Sequence, residues 1–217
     1  MSDVQGAQKS QPEGSPRRMV RVWDPLLRVF HWGLVAAFAI AWLTADELQP
    51  VHELAGYAVA GLVAFRLIWG FVGSGYARFA QFLAGPAATL GYLGDTLKGH
   101  ERRYLGHNPA GAMMIVAMLV TLSGTAFTGW LMEEPARPEV MPGVPQMVAP
   151  AQPDENRGRD EAQGPLKEVH EALANLMLLL VALHVGGVVL ASLRHHENLA
   201  RAMLTGDKRA PEPDDIA

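Results

Sequence analysis

Four apolar blocks, each close to the length that crosses a lipid bilayer, limit what this chain can fold into. They run from about Leu26 to Thr44, Val51 to Val72, Pro109 to Met132 and Leu166 to Leu193. A hydrocarbon core about 30 Å thick takes roughly 20 apolar residues as helix. Inside it, only helices and closed barrels satisfy their own backbone groups. The blocks therefore predict an all-α protein, an integral membrane four-helix bundle. Start signals agree: Asp24 and Pro25 precede the first block as N-cap and N1 proline, and Asn108 and Pro109 open the third. Charged residues make up only 18% of the chain, below the roughly 25% of soluble domains. A soluble helical bundle is the alternative, and four such blocks argue against it.

The intervening segments divide the chain. Residues 1–20 are rich in Ser, Gln, Pro and Gly, lack the apolar stretch of a signal peptide, and read as a disordered tail. Residues 21–209 form the membrane domain, with helices at about 26–44, 51–72, 109–132 and 166–193. Residues 210–217 are a second tail. Between the second and third blocks, Pro86 followed by Leu90, Leu93 and Leu97 predicts a short interfacial helix. Residues 133–165, rich in Pro, Gly, Gln and acid, read as a long outer loop.

Positive charge sets the expected orientation. Arg17, Arg18, Arg21, Arg28, Arg78, Lys98, Arg102, Arg103, Arg194, Arg201, Lys208 and Arg209 fall on one side, together with Lys9; Arg137, Arg157, Arg159 and Lys167 fall on the other. The positive-inside rule places the first side, and with it both termini, in the cytoplasm. The formal net charge is −4, and no nucleic-acid partner is expected.

The chain has no cysteine. That excludes disulfides, thiolate nucleophiles, cysteine-ligated iron–sulfur clusters and covalent C-x-x-C-H haem attachment.

Of the 8 histidines, four fall within the blocks. His31 lies about one turn into the first, near its cytoplasmic end. His52 and His170 lie at the outer starts of the second and fourth. His184 follows His170 by 14 residues, almost four whole turns, so the two imidazoles differ by about 40° around the helix and roughly 21 Å along it. One helix thus presents two imidazoles on one face at two depths, the inner level with His31 and the outer with His52. Ionisable residues inside a membrane are costly and by default mark function. Facing imidazoles at two depths suit two stacked haems, which without cysteine must be non-covalent b-type. Polar residues satisfied between helices, or a proton relay, are the competing uses, and neither needs this two-by-two pattern.

Arg66 repeats the interval, 14 residues after His52. A haem propionate or a quinone oxygen would pair with it, and snorkelling to the interface is the alternative. Gly56, Gly124, Gly129, Gly186 and Gly187 allow close approach of a macrocycle or a helix. His107 reads as a solvated interfacial histidine able to reach a propionate or quinone, and His100, His195 and His196 as solvated. The methionines, Met177 among them, read as apolar filler.

These stretches resemble the bacterial cytochrome b561 and nickel–iron hydrogenase b-type cytochrome family. The resemblance is carried by RVWDPLLRVFHW around His31, VHELAGYAVAGLVAFRLIWGFVGS around His52, LGHNPAGAMM before the third helix, and VHEALANLMLLLVALHVGGVVLASLRHHENL in the fourth. It implies two b haems held by His31, His52, His170 and His184, paired His31 with His184 and His52 with His170, in a multi-pass protein of the bacterial inner membrane. Nothing is transferred to residues 133–165.

Three functions stay open. One is electron transfer between a periplasmic redox partner (a c-type cytochrome, a hydrogenase-like enzyme or another dehydrogenase) and the quinone pool. The second is a self-contained haem oxidoreductase, such as one passing electrons from superoxide to quinone, though the mostly acidic outer side suits an anionic substrate poorly. The third is a haem-free proton or metal transporter.

Overall fold

The computed structural model describes residues 18–132 and 153–216, with backbone alone for 153–163. Helix α1 spans Pro25–Thr44, α2 Gln49–Val72, α3 Phe79–Phe82, α4 Pro86–Lys98, α5 Pro109–Met132, α6 Pro153–Arg194 and α7 Leu199–Thr205. A 3-10 turn covers Gly75–Ala77, and two short strands, β1 at Met19–Arg21 and β2 at Asp207–Arg209, pair antiparallel. Among the described residues, four helices are long and apolar enough to cross a membrane: α1, α2, α5 and the Gly164–Arg194 part of α6. The fold is an all-α membrane bundle.

The expected helix starts have a physical basis in side chains. Asp24 Oδ1 accepts from Leu27 N–H at 2.8 Å, and Asn108 Oδ1 accepts from Gly111 N–H at 2.7 Å. Each satisfies a donor that the first turn leaves without a partner. The other oxygen of Asp24 accepts from Ser74 Oγ and Trp69 Nε1, so the start of α1 is fastened to the end of α2. Burial pushes the Asp24 carboxyl up, and the hydrogen bonds from Ser74, Leu27 and Trp69 outweigh it to leave the pKa low.

Helix α1 packs on α2, α2 on α5, and α5 on α6, with no comparable backbone packing between α1 and α6. One core cluster, around Val22, Trp23, Leu27, Phe30 and Leu105, sits at the end that carries β1, β2 and α7, called here the capped end. A second, with Ala37, Val59, Val63, Leu119, Leu122 and Met177, fills the middle. Met177 is the filler expected of it, 2% exposed.

Two expected boundaries differ in the structure. Met19 and Val20, assigned to the tail 1–20, are strand residues paired with Arg209 and Lys208; residues 1–17 lie outside the described part. Residues 153–165, assigned to the outer loop, are the first turns of α6, with Pro165 inside the helix. A polar stretch before a proline resembles a loop, but the chain continues as helix through it; residues 133–152 lie outside the described part. The expected C-terminal tail after β2 is tied to the segment before α5. Ile216 N–H donates to Arg103 O at 2.8 Å, and Leu105 N–H donates to Ile216 O at 2.8 Å. The expected interfacial helix is α4, and its Leu90, Leu93 and Leu97 are exposed, as suits a helix lying along a membrane surface.

An ionic cluster holds the capped end together. Arg103 bonds both carboxylate oxygens of Glu197, at 3.0 and 3.1 Å, and also Asp215. Lys208 Nζ donates to the carbonyls of Tyr104 and Leu105 at 3.1 and 2.9 Å and lies 3.6 Å from Glu197. Two cations and two carboxylates thus neutralise one another in a nearly dry setting, where an unpaired charge would be costly.

Candidate functional site

The four histidines of the spans meet in two pairs. His31 of α1 faces His184 of α6 with ring centroids 6.5 Å apart and planes at 50°. His52 of α2 faces His170 of α6 at 6.1 Å and 69°. A metal–imidazole bond of about 2.0 Å, with the centroid roughly 1.1 Å behind the nitrogen, puts two trans imidazoles about 6 Å apart. Both separations match one metal held between two rings. Among the described residues no cluster of three or more His, Asp or Glu gathers as for a free metal ion. A haem needs only the pair, because its macrocycle supplies the other four ligands.

Hydrogen bonds fix which nitrogen is free in the His52–His170 pair. His52 Nδ1 lies 2.8 Å from the carbonyl of Ala41. A carbonyl only accepts, so Nδ1 carries the proton and Nε2 keeps its lone pair. His170 Nδ1 lies 3.0 Å from Thr128 Oγ1. That hydroxyl is 2.9 Å from the Gly124 carbonyl and 3.0 Å from the Thr125 carbonyl. Its proton is directed to the backbone, its oxygen accepts from His170 Nδ1–H, and Nε2 is again free. Ring N–H groups held in this way are typical of metal-bound histidines. His31 differs: its Nδ1 is buried with no partner.

Helix α5 bears no histidine, yet it shapes the His52–His170 pair. A Cβ on Gly129 would stand 3.1 Å from His170 Cε1, and one on Gly124 would stand 3.1 Å from Leu173 Cδ1. These glycines let α6 come close. A Cβ on Gly56, Gly186 or Gly187 would instead meet nothing within 4 Å, so there is open space beside His184 and one turn from His52.

Arg66 does not snorkel. It is 2% exposed, with its guanidinium 4.8 Å from the Phe79 ring centroid and 5.9 Å from that of Phe82. Its Nη1 is buried without a partner. His107 is not the solvated residue expected. Its ring packs between Trp23 at 4.7 Å and Phe82 at 4.6 Å, and its Nδ1 is buried without a partner. Burial, followed by the charges of Arg66, Lys208 and His184, pushes the His107 pKa down to about 3. His100 and His196 are exposed as expected.

The family model for prokaryotic cytochrome b561 matches residues 22–206. The chain belongs to the prokaryotic cytochrome b561 family. Cytochromes b561 of this kind are membrane b-type cytochromes of electron transfer, so b-type haem and a multi-pass membrane setting belong to this chain. No curated protein and no solved structure matches it significantly.

Proposed function

We propose that the chain is a di-haem cytochrome b that carries electrons across the inner membrane, between a periplasmic redox partner and the quinone pool. The observation that carries this reading is the pair of histidine pairs, each at the spacing of two imidazoles on one iron. His31 and His184 hold the inner haem; His52 and His170 hold the outer. The single helix α6 contributes to both, and its 14-residue interval sets the two levels roughly 21 Å apart.

The open space beside Gly186 and Gly187, and the lack of close packing between α1 and α6, leave room for a flat macrocycle. The haem supplies one-electron chemistry when bound. The chain's own residues do the rest: Ala41 and Thr128 orient the outer rings, and the apolar helices keep water away from the electron path. Arg66 stands ready for an anionic or carbonyl oxygen, from a haem propionate or a quinone, and its burial among phenylalanines favours such a partner over water. In this reading the capped end, with its cluster of Arg and Lys, is cytoplasmic. The outer partner is a c-type cytochrome, a hydrogenase-like subunit or another dehydrogenase.

The test is a redox titration of the purified protein followed in the visible spectrum. Two b-type components are expected, both reoxidised by a short-chain quinone. A single component, or haems that a quinone cannot reoxidise, would contradict the reading.

A further inference from the structure

The spanning helices pack as a row, α1 on α2, α2 on α5 and α5 on α6, without comparable packing between α1 and α6. The two histidine pairs are therefore supported differently. His52 and His170 stand on α2 and α6, and α5 packs against both of those helices. Their rings are also held, by the Ala41 carbonyl and the Thr128 hydroxyl. His31 and His184 stand on the two helices at the ends of the row, and His31 Nδ1 is buried without a partner. Another contact must set their centroid separation of 6.5 Å.

That contact lies at the capped end. Helix α6 ends at Arg194, about 15 Å beyond His184 at the rise of a helix. The chain turns back at His196, whose φ of 50° is left-handed, and enters α7, where Asn198 Oδ1 accepts from Arg201 N–H at 2.7 Å. Helix α7 then lies against the base of α1. Ala202 is buried in one cluster with Trp23, Leu27 and Phe30. Gly206 O accepts from the N–H groups of Val22 and Trp23 at 2.9 and 3.1 Å. A Cβ on Gly206 would stand 2.7 Å from Trp23 O, and its φ is 89°, so this approach requires glycine. The last carbonyls of a helix have no partner within it, and α1 supplies two for α7. Arg28 Nη1 donates to Leu204 O, and Trp32 Nε1 donates to Met203 O at 3.3 Å. Arg28 and Trp32 lie one turn apart on α1 and flank His31 in the sequence.

We propose that α7 and β2 form a clasp that sets the distance between His31 and His184, with Arg28 and Trp32 as its positioning residues. The clasp joins α1 to α6 where the row of helices leaves them apart. Two rings on one metal tolerate little change, since ligand distances hold to about 0.2 Å. Loosening the clasp therefore costs an axial bond before it costs the fold. The inference rests on the reading that His31 and His184 hold a haem.

The experiment exposes the reduced, haem-loaded protein to carbon monoxide. Iron with an imidazole on each side has no open position, so the wild-type protein should form no carbonyl adduct. Arg28→Met removes the donor to Leu204 and keeps the chain length. The inner component, identified by its loss in His184→Ala, should then bind carbon monoxide. Its affinity for haem should fall about tenfold, the effect of one lost charge-assisted hydrogen bond, with the outer component unchanged. Arg28→Lys returns a cationic donor and should restore the closed site. Trp32→Phe deletes the indole N–H and keeps a ring beside His31. It should weaken the same component about threefold, and it carries the test if Arg28→Met does not fold. A merely structural role would loosen both components alike, so adducts on both would overturn the proposal, as would adducts on neither in both variants. If His184→Ala leaves both components in place, the haem reading falls. If it removes the inner one while Arg28→Met and Trp32→Phe leave that component closed to carbon monoxide, only the clasp falls.

Discussion

Thr128 is a residue whose role depends on a proton count. Its hydroxyl proton is directed to a backbone carbonyl, so its oxygen must accept from His170 Nδ1–H. A ring that donates in this way is a more electron-rich ligand and holds ferric iron more firmly. Thr128→Val keeps the shape and removes the acceptor. The outer haem should then rise in potential by about 40 mV, the one-electron equivalent of roughly 1 kcal/mol, while the inner haem stays put. A redox titration that resolves the two components reads this directly. Equal shifts in both, or none, would mean that Thr128 acts on neither ring specifically. Thr128 is hard to pick out in the sequence because threonine is no haem ligand. A signal is present, since Thr121, Thr125 and Thr128 recur at helical spacing on α5, and Thr121 and Thr128 are both buried.

Among elements, the segment from α7 to Ile216 depends on the charges that clasp it. Glu197→Gln would leave Arg103 and Lys208 facing one carboxylate instead of two. Breaking a buried pair of this kind costs about 3 kcal/mol. Thermal denaturation in detergent should show the loss, with limited proteolysis opening first near residues 207–216. The same cluster predicts an acid limit. Burial pushes the Glu197 carboxyl up, but the Arg103 guanidinium, the Arg209 N–H and the Lys208 charge more than reverse that. At Asp215 burial is likewise outweighed, by the Glu212 N–H and Arg103. Both folded-state pKa values lie below their unfolded ones, so as pH falls the unfolded chain takes up protons first. The stabilisation is whole above the ordinary carboxylate range, near about pH 4, and is lost below it. Hydrogen exchange at the Ile216 amide should show protection that is flat from neutral pH to about 5 and falls as the pH drops below about 4. Protection that is unchanged in Glu197→Gln at neutral pH would contradict the role given to these carboxylates.

Across the whole molecule, the parts legible in the sequence are those under a one-dimensional rule. Apolar length marks the four spans, because a bilayer demands it. The interval between His170 and His184 anticipates the approach of each to a histidine on another helix, because helical pitch converts spacing into depth and angle. The less legible parts rest on contacts between segments distant in the chain. Met19–Arg21 pairs with Asp207–Arg209 through strands too short and too polar to carry a period. His107 precedes a helix and looks solvated in the sequence, yet Trp23 and Phe82 enclose it from two directions. Pro165 resembles a helix start because proline favours first turns, and the helix runs through it.

The central claim is that four histidines hold two haems, one at each level. The most direct measurement is haem per chain, with the redox spectrum, in the wild-type protein and in His184→Ala and His170→Ala. The account predicts two haems in the wild type, loss of the inner component in His184→Ala with part of the outer retained, and the reverse in His170→Ala. Full occupancy of both haems in either variant would contradict it.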